Sequence, residues 1–131
     1  MESSQERTRI EVRYAETDQM GIVHHSVYAV WFEQARTQFF RDRGADYAEM
    51  EKQGFACPVL ELGVQYKSAT HYGEFVEIET SAVQVDKLRF RLDYKLFVNN
   101  KLCTTGFTVH CLLKDGRPTR DMPESFVKLF E

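Results

Sequence analysis

The groups best suited to chemistry lie within residues 14–26, ahead of a long helical pattern. Glu16 and Asp18 are carboxylates in a polar loop, and His24 and His25 follow a few residues later. The free N–H groups in the first turn of a helix favour negative charge and can polarise a carbonyl placed beside them. A carboxylate next to such donors is the minimum set of groups for acyl transfer. Asp18 is therefore the first candidate for a nucleophile or general base.

The helix that would position these groups is predicted between Ser26 and Gly44. The Ser26 hydroxyl can cap the first turn, and Gly44 is a typical stop. A stripe with helical spacing is expected to be buried, and it comprises Tyr28, Phe32, Ala35 and Phe39. Residues 27–31 are apolar nearly all round, which indicates that this half of the helix is covered on more than one side.

Alternation of apolar and polar residues predicts strands before and after this helix. The first strand begins at Arg9, and its buried face is expected to comprise Ile10, Val12 and Tyr14. The second strand has one apolar face, which comprises Leu60, Leu62, Val64 and Tyr66.

The later strands carry turn and bulge signals. A change of apolar parity predicts a bulge near Ala82, in the strand that starts at Val76. Another strand starts at Phe90, and Asn99-Asn100 after it predicts a tight hairpin. The returning strand is expected to bury Cys103, Thr105, Phe107, Val109, Cys111 and Leu113.

These elements predict an α+β fold. A shorter helix is expected from Asp46 to Gln53, ended by Gly54, and residues 123–130 could form a final helical turn. Short links favour antiparallel pairing, so the expected architecture is a curled antiparallel sheet of about five strands wrapped around one long central helix. Apolar residues on both faces of 75–85 indicate that part of the outer surface or an edge is paired in a homo-oligomer.

Composition excludes several classes of protein. The 131 residues predict one domain spanning 1–131, and the net charge of −3 gives no support to nucleic-acid binding. The start, MESSQERTR, is polar and carries two acidic residues, unlike a signal peptide, so the cytoplasm is the expected location. Three cysteines without a CxxC motif predict buried free thiols, and they are Cys57, Cys103 and Cys111.

The run YAETDQMGIVHHSVY at 14–28, followed by FEQAR at 32–36, closely resembles the signature of hotdog-fold acyl-CoA thioesterases of the 4-hydroxybenzoyl-CoA thioesterase type. The segment KSATHYGE at 67–74 is also similar to that family's layout. The resemblance implies that Asp18 is the catalytic carboxylate and that the backbone N–H of His25 polarises the thioester carbonyl. It also implies active sites between subunits, with a dimer at least and commonly a tetramer. No metal or cofactor is expected, because coenzyme A enters as part of the substrate.

The same resemblance implies residues that contact the substrate. Gly21 matches the glycine that shapes the loop, and Tyr28 matches the tyrosine of the first helical turn. His24 stands where an aromatic residue is usual and is expected to line a pocket, while Val27 replaces a usual asparagine. The candidates for binding the CoA phosphates are Lys67, Lys87, Arg89 and Arg91.

Other roles remain open for the same groups. Glu16 is expected to be a solvated loop acid, and Glu33 is either an alternative catalytic carboxylate or an ion-pair partner of Arg36 or Arg43. Adjacent His24 and His25 side chains usually diverge, which disfavours a metal site. The GxSxG, GxxxxGK[ST] and GxGxxG motifs are absent, so a serine hydrolase and phosphate-binding loops are disfavoured.

Two rival functions are compatible with the same fold. One is a non-catalytic acyl-CoA-binding module, against which the presence of Asp18 argues. The other is an enoyl-CoA hydratase or dehydratase, which would need an aspartate and a histidine to act together on the acyl chain.

Overall fold

The computed structural model describes residues 6–130, in which an antiparallel sheet surrounds one long helix. The strands are β1 (Arg7–Glu11), β2 (Phe55–Ala56), β3 (Val59–Tyr66), β4 (Phe75–Gln84), β5 (Arg89–Val98), β6 (Lys101–Cys111), β7 (Leu113–Lys114) and β8 (Arg117–Pro118). The helices are α1 (Val27–Asp42), α2 (Tyr47–Lys52) and α3 (Glu124–Val127), with 3-10 turns at Tyr14–Glu16 and Lys128–Phe130. Residues 1–5, part of the polar start that argued against a signal peptide, and residue 131 lie outside the described range.

The main sheet has the order β1-β4-β5-β6-β3, and a small second sheet has the order β2-β7-β8. Every pairing within these two sheets is antiparallel. The predicted α+β layout, with five strands around a central helix, is therefore confirmed. The predicted C-terminal helical turn is also present, as α3 and the 3-10 turn after it.

Helix α1 packs directly on the sheet through Phe32, which is fully buried. The Phe32 ring stacks on Tyr94 of β5 with 4.4 Å between ring centroids. On β6, a Cβ atom at Gly106 would collide with the Phe32 ring. Glycine is needed at 106 because any side chain there would overlap this ring.

The helices end before the predicted glycines, but they do not begin with the predicted side-chain caps. Gly44 and Gly54 follow α1 and α2 with φ of +82° and +92°, a region that favours glycine. The Ser26 hydroxyl makes no cap hydrogen bond, and neither does the Asp46 carboxylate. The predicted Ser26 cap is wrong because this hydroxyl is paired with Nδ1 of His24 at 2.8 Å.

The first strand is shorter than predicted. Ile10 and Val12 are buried, but Tyr14 is 75% exposed because the chain turns into a 3-10 helix at this residue. The Tyr14 ring instead makes an edge contact with Tyr72, with 5.7 Å between centroids. The prediction that Tyr14 belongs to a buried strand face is therefore wrong.

The predicted bulge near Ala82 is also wrong. The β4–β5 register runs from Glu77 opposite Phe97 to Gln84 opposite Phe90 without a shift. Val83 is about half exposed on the outer face. The sequence places apolar residues on the outer face after Ala82 because that part of the surface is exposed and apolar. The strand itself continues without interruption.

In β6, the predicted set of inward-facing residues has the wrong parity. The Asn99-Asn100 hairpin is confirmed, with φ of 50° and 65°. After it, Leu96 pairs with Thr104 but Phe97 pairs with Leu102, so an extra residue reverses the alternation of β6. Cys103, Val109 and Cys111 are buried as predicted, whereas Thr105, Phe107 and Leu113 are only partly buried. The prediction missed several buried residues of this segment, which are Thr104, Thr108, His110 and Leu112.

The apolar face predicted for β3 is exposed. This strand lies at an edge of the main sheet, where Leu60, Leu62 and Tyr66 are 47–53% exposed. Val30 of α1 is 57% exposed. The edge therefore offers both unpaired backbone groups and apolar side chains.

Candidate active site

A cavity of about 250 Å³ opens between the start of α1 and the end of β3. Its lining includes four residues that the sequence singled out, namely Asp18, His25, Tyr28 and Lys67. It also includes Tyr66 and Met20, which the sequence had not marked as site residues. The fold thus brings the predicted carboxylate and the residues at the predicted helix start to one place.

The Asp18 loop is closed on itself by backbone hydrogen bonds. The N–H of Asp18 donates to the carbonyl of Ile22 at 2.8 Å, and the N–H of Gly21 donates to the carbonyl of Asp18 at 3.0 Å. Gly21 has φ of +80°, so it supplies the left-handed turn that this closure requires. A bridge between Thr17 and Val23 holds the two sides of the loop together.

The Asp18 carboxylate keeps one oxygen available. Oδ1 accepts a hydrogen bond of 2.8 Å from the N–H of Met20. Within residues 6–130, no donor is bonded to Oδ2. The side chain is therefore oriented by one oxygen while the other can meet a substrate or a water molecule.

The backbone of His25 offers a donor at the same cavity. None of the described residues accepts a hydrogen bond from its N–H, while its carbonyl accepts one of 2.8 Å from the Tyr66 hydroxyl. The imidazole is exposed and stacks on His24, with 4.2 Å between centroids. A backbone N–H without a partner among the described residues is the kind of donor that an oxyanion site uses.

Two tyrosines form a wall of the cavity. The buried hydroxyl of Tyr28 pairs with Thr70 at 2.8 Å, and the Tyr28 and Tyr66 rings make an edge contact at 5.1 Å. Burial raises the pKa of both Tyr28 and Tyr66. Both phenols therefore stay protonated near neutral pH, and they shape the cavity as neutral groups.

His24 lies on the other side of the loop. It lines a wider and more open depression of about 680 Å³ that also contacts Asp18. Its Nδ1 accepts the N–H of Ser26 at 3.2 Å, so this nitrogen is occupied within the turn before α1. His24 therefore lines this depression and not the cavity, although its ring stacks on His25, which lines the cavity.

The predicted phosphate-binding cations do not come together in one protomer. Lys67 is at the cavity, and its N–H donates to Cys103 of β6. Arg89 of β5 lies opposite Cys111 of β6 in the strand register. Cys111 is eight residues beyond Cys103, which corresponds to roughly 27 Å along the strand. Arg91 lies near that distant end and stacks on Phe107 at 4.1 Å.

Arg89 and Arg91 are also neutralised locally. Arg89 pairs with Asp86 at 2.7 Å, and this contact lowers the pKa of Asp86 to about 2. Arg91 pairs with Asp93 at 3.0 Å. Lys67 forms no ion pair within the described residues, so it is the cation best placed to meet an anionic group at the cavity.

The prediction that Glu16 is a solvated acid is wrong. Glu16 is only 7% exposed, because its carboxylate binds the indole N–H of Trp31 at 3.1 Å and the backbone N–H of Arg13 at 2.7 Å. The signal for this role was Trp31 itself, since a buried indole N–H requires an acceptor. Sequence reasoning did not connect the two residues.

Glu33 lies on the surface of α1. Its side chain is 70% exposed and its nearest ion-pair contact is Arg36 at 3.9 Å, the arrangement that the sequence offered as one alternative. Arg36 itself is largely buried and donates a hydrogen bond of 3.2 Å to the Tyr94 hydroxyl. Glu33 does not line the Asp18 cavity.

Across residues 6–130, no group of three histidine, cysteine, aspartate or glutamate side chains lies close enough to hold a metal ion. No helix in this part of the chain has the length and apolar character needed to cross a membrane.

Comparison with known proteins places this site in a family context. Residues 12–130 match the model of the family described as the thioesterase-like superfamily. A protein of Bacillus subtilis named "Putative acyl-CoA thioesterase YneP" is 50% identical over 74 residues, which are 56% of this chain and 54% of that protein. The match thus spans about half the length of that relative.

Solved structures are similar over nearly the whole chain. A DHNA-CoA thioesterase from Staphylococcus aureus is 39% identical with a TM-score of 0.86, covering 94% of this chain and 89% of that one. A hypothetical protein from Thermus thermophilus is 38% identical with a TM-score of 0.90, covering 95% and 97%.

Proposed function

Because the chain belongs to the thioesterase-like superfamily, we propose that it hydrolyses acyl-CoA thioesters, with Asp18 as the catalytic carboxylate. The observation that supports the proposal is that Asp18 and His25 line one cavity. Among residues 6–130, Asp18 has a carboxylate oxygen without a donor and His25 has a backbone N–H without an acceptor. Acyl transfer needs a nucleophile or base beside a donor for the oxyanion. Both groups come from the segment whose residues resemble the family signature.

Two routes use these groups and give the same products. In the first, Oδ2 of Asp18 attacks the thioester carbon, the C–S bond breaks to release the CoA thiolate, and water hydrolyses the resulting anhydride. In the second, Asp18 takes a proton from a water molecule whose oxygen attacks the same carbon, the C–S bond breaks, and the CoA thiolate receives that proton. In both, the N–H of His25 donates to the carbonyl oxygen as negative charge develops. The products are a free acid and the CoA thiol, and neither route requires a metal or cofactor.

The CoA portion is proposed to leave the cavity past Lys67. A lysine is a mobile cation, and an exposed one at the cavity rim suits a phosphate group. Arg89 and Arg91 lie too far away to join it within one protomer. They remain candidates for CoA contacts only if a second copy brings that end of the sheet close to Lys67.

The edge strand β3 offers such an arrangement. Antiparallel pairing of β3 with β3 of a second copy would continue the sheet and cover Leu60 and Leu62. Because the two strands would run in opposite directions, the Arg89 and Arg91 end of one sheet would lie toward the Lys67 end of the other. We therefore propose a homodimer at least, with each cavity completed by the neighbouring copy, and larger assemblies built from dimers.

Thiol release followed with a chromogenic disulfide tests the activity. A panel of short, long and aromatic acyl-CoAs should include DHNA-CoA, which the name of the Staphylococcus aureus relative contains. We expect Asp18→Ala to abolish turnover and Asp18→Asn to lower kcat on the order of 10³-fold, while circular dichroism stays unchanged. Asp121→Asn is the matched control, because Asp121 is exposed and makes no side-chain hydrogen bond within residues 6–130.

The same experiment separates the rival functions. Wild-type turnover by Asp18→Ala would refute the catalytic assignment. Affinity for acyl-CoA without thiol release would identify a binding module. Loss of enoyl absorbance from crotonyl-CoA without thiol release would identify a hydratase.

A further inference from the structure

Glu16 is a buried carboxylate that the catalytic scheme does not use. Its side chain reaches from the 3-10 turn before the Asp18 loop to Trp31 of α1. Oε2 accepts the indole N–H of Trp31 at 3.1 Å and Nη2 of Arg13 at 3.2 Å, and Oε1 accepts the backbone N–H of Arg13 at 2.7 Å. Both carboxylate oxygens are therefore occupied by donors.

The backbone of Glu16 is bonded to the residue at the other end of the same loop. Its carbonyl accepts a hydrogen bond of 2.9 Å from the N–H of His24. The loop that carries Asp18 therefore begins after Glu16 and is closed by the hydrogen bond between Glu16 and His24, the residue before His25. The side chain of Glu16 then fixes this junction to the second turn of α1.

We propose that Glu16 is a positioning residue that sets the Asp18 carboxylate against the backbone donor of His25. The two reacting groups belong to different segments, the loop and the helix start, and their relative placement depends on a tie between those segments. The Glu16–Trp31 hydrogen bond is such a tie, because Trp31 is 1% exposed and cannot move independently of α1. This inference rests on the proposed role of Asp18.

The tie requires a carboxylate rather than an amide. A glutamine has one acceptor oxygen, so it can satisfy either the Arg13 backbone N–H or the Trp31 indole, and its NH₂ group then faces the other donor. Hydrogen bonds to an ionised acceptor are also shorter and stronger than those to a neutral one. Glu16→Gln keeps the size of the side chain and removes these properties.

Steady-state kinetics of Glu16→Gln, measured where the variant is fully folded, test the proposal. We expect kcat to fall about 10- to 100-fold, as for a misplacement near 1 Å. KM should stay within about threefold, because CoA contacts are untouched. Tyr94→Phe is the control for a purely structural loss, since it removes buried hydrogen bonds to Thr108 and Arg36 outside the loop and should leave kcat near wild type.

Trp31→Phe provides a second variant in case Glu16→Gln folds poorly. It retains an aromatic side chain and removes the indole donor together with part of the buried ring, so kcat should fall in the same direction. The double variant Glu16→Gln/Trp31→Phe should be no slower than Glu16→Gln alone, because both changes break the same bond. Trp31 is the single tryptophan, so its fluorescence reports on this contact directly. We expect its emission maximum to shift in Glu16→Gln and to stay in place in Asp18→Ala.

The outcomes distinguish this inference from the proposed function. If Asp18→Ala is inactive while Glu16→Gln and Trp31→Phe keep wild-type kcat, the positioning role is refuted and the catalytic role of Asp18 stands. Strictly multiplicative kcat losses in the double variant would also refute the tie. If Asp18→Ala is fully active, both assignments fail together.

Discussion

The hydroxyl of Tyr66 donates a hydrogen bond of 2.8 Å to the backbone carbonyl of His25. This bond joins the last residue of the edge strand β3 to the turn that precedes α1. The same His25 carries the backbone N–H that has no acceptor among residues 6–130. The Tyr66 bond fixes the peptide unit that follows His25, so it ties the residue that carries this donor to a side chain from the opposite wall of the cavity.

Tyr66→Phe is expected to lower kcat about tenfold while changing the free energy of unfolding by no more than about 1.5 kcal/mol. The ring and its contact with Tyr28 remain, but the His25 carbonyl loses its partner. Thiol-release kinetics and urea unfolding measure the two effects. Tyr72→Phe is the control, since Tyr72 is 63% exposed and its ring contact needs no hydroxyl. Equal kcat values for the two variants would contradict the role of Tyr66.

Lys67→Glu should raise KM for acyl-CoA by about tenfold or more, because it replaces attraction for phosphate by repulsion. The effect should vanish with a short thioester of N-acetylcysteamine, which lacks the nucleotide. Lys52→Glu on α2 serves as the control for the change in net charge. An equal rise in KM for both thioesters would place Lys67 at the acyl group instead of the CoA phosphates.

Leu62→Lys should reduce self-association, because it places a charge on the apolar edge formed by β3. Light scattering is expected to show a smaller particle than wild type, and activity should fall with the loss of the second copy. Val127→Lys provides the comparison, since Val127 is 42% exposed but lies on α3 and not on the sheet. A wild-type mass for Leu62→Lys would argue against pairing through β3.

His110 should make stability depend on pH. Burial, together with the nearby charge of Arg36, lowers the pKa of His110 to about 4, below its ordinary value of 6.5. The folded state therefore keeps the ring neutral while the unfolded chain binds a proton below pH 6.5. The contribution of His110 to stability is complete above pH 6.5 and is lost as the pH falls toward about 4, at up to about 1.4 kcal/mol per pH unit.

Urea unfolding at about pH 7 and about pH 5 measures this slope. His110→Phe should be less stable at pH 7, because Thr108 and the Cys57 carbonyl each lose the hydrogen bond to the imidazole, but its stability should depend less on pH. Tyr28→Phe, which removes a buried hydrogen bond to Thr70 and leaves every histidine in place, should keep the wild-type slope. An unchanged slope in His110→Phe would assign the pH dependence to other groups.

Local patterns were sufficient to predict the central helix and the family. The stripe from Tyr28 to Phe39 is buried because its spacing matches the helix, and the signature around Asp18 is contiguous in sequence. The parity of β6 was not predictable in the same way, because one extra residue after the hairpin exchanges its two faces. Polar Thr108 and His110 then face the helix, where they bond to each other at 2.7 Å.

The role of Glu16 could not be predicted from its neighbours. A loop carboxylate is normally solvated, and its partner Trp31 lies fifteen residues away in another element. Only the folded position of α1 brings the indole to the acid. The sequence predicted some of the residues that line the cavity, such as Asp18 and His25. It did not predict the cavity itself, because Tyr66 comes from the end of β3 and reaches this site only in the folded chain.

The contact between Phe32 and Gly106 limits the route open to an acyl tail. Because the ring rests on the bare backbone of β6, we expect no acyl tail to pass beneath α1 at that point. Under the proposed function, we expect a tail longer than the cavity to follow the groove that Val30 and Leu62 line on the outer flank of the helix. The accepted chain length would then be set by whatever lies against that flank, and not by the interior of a single subunit.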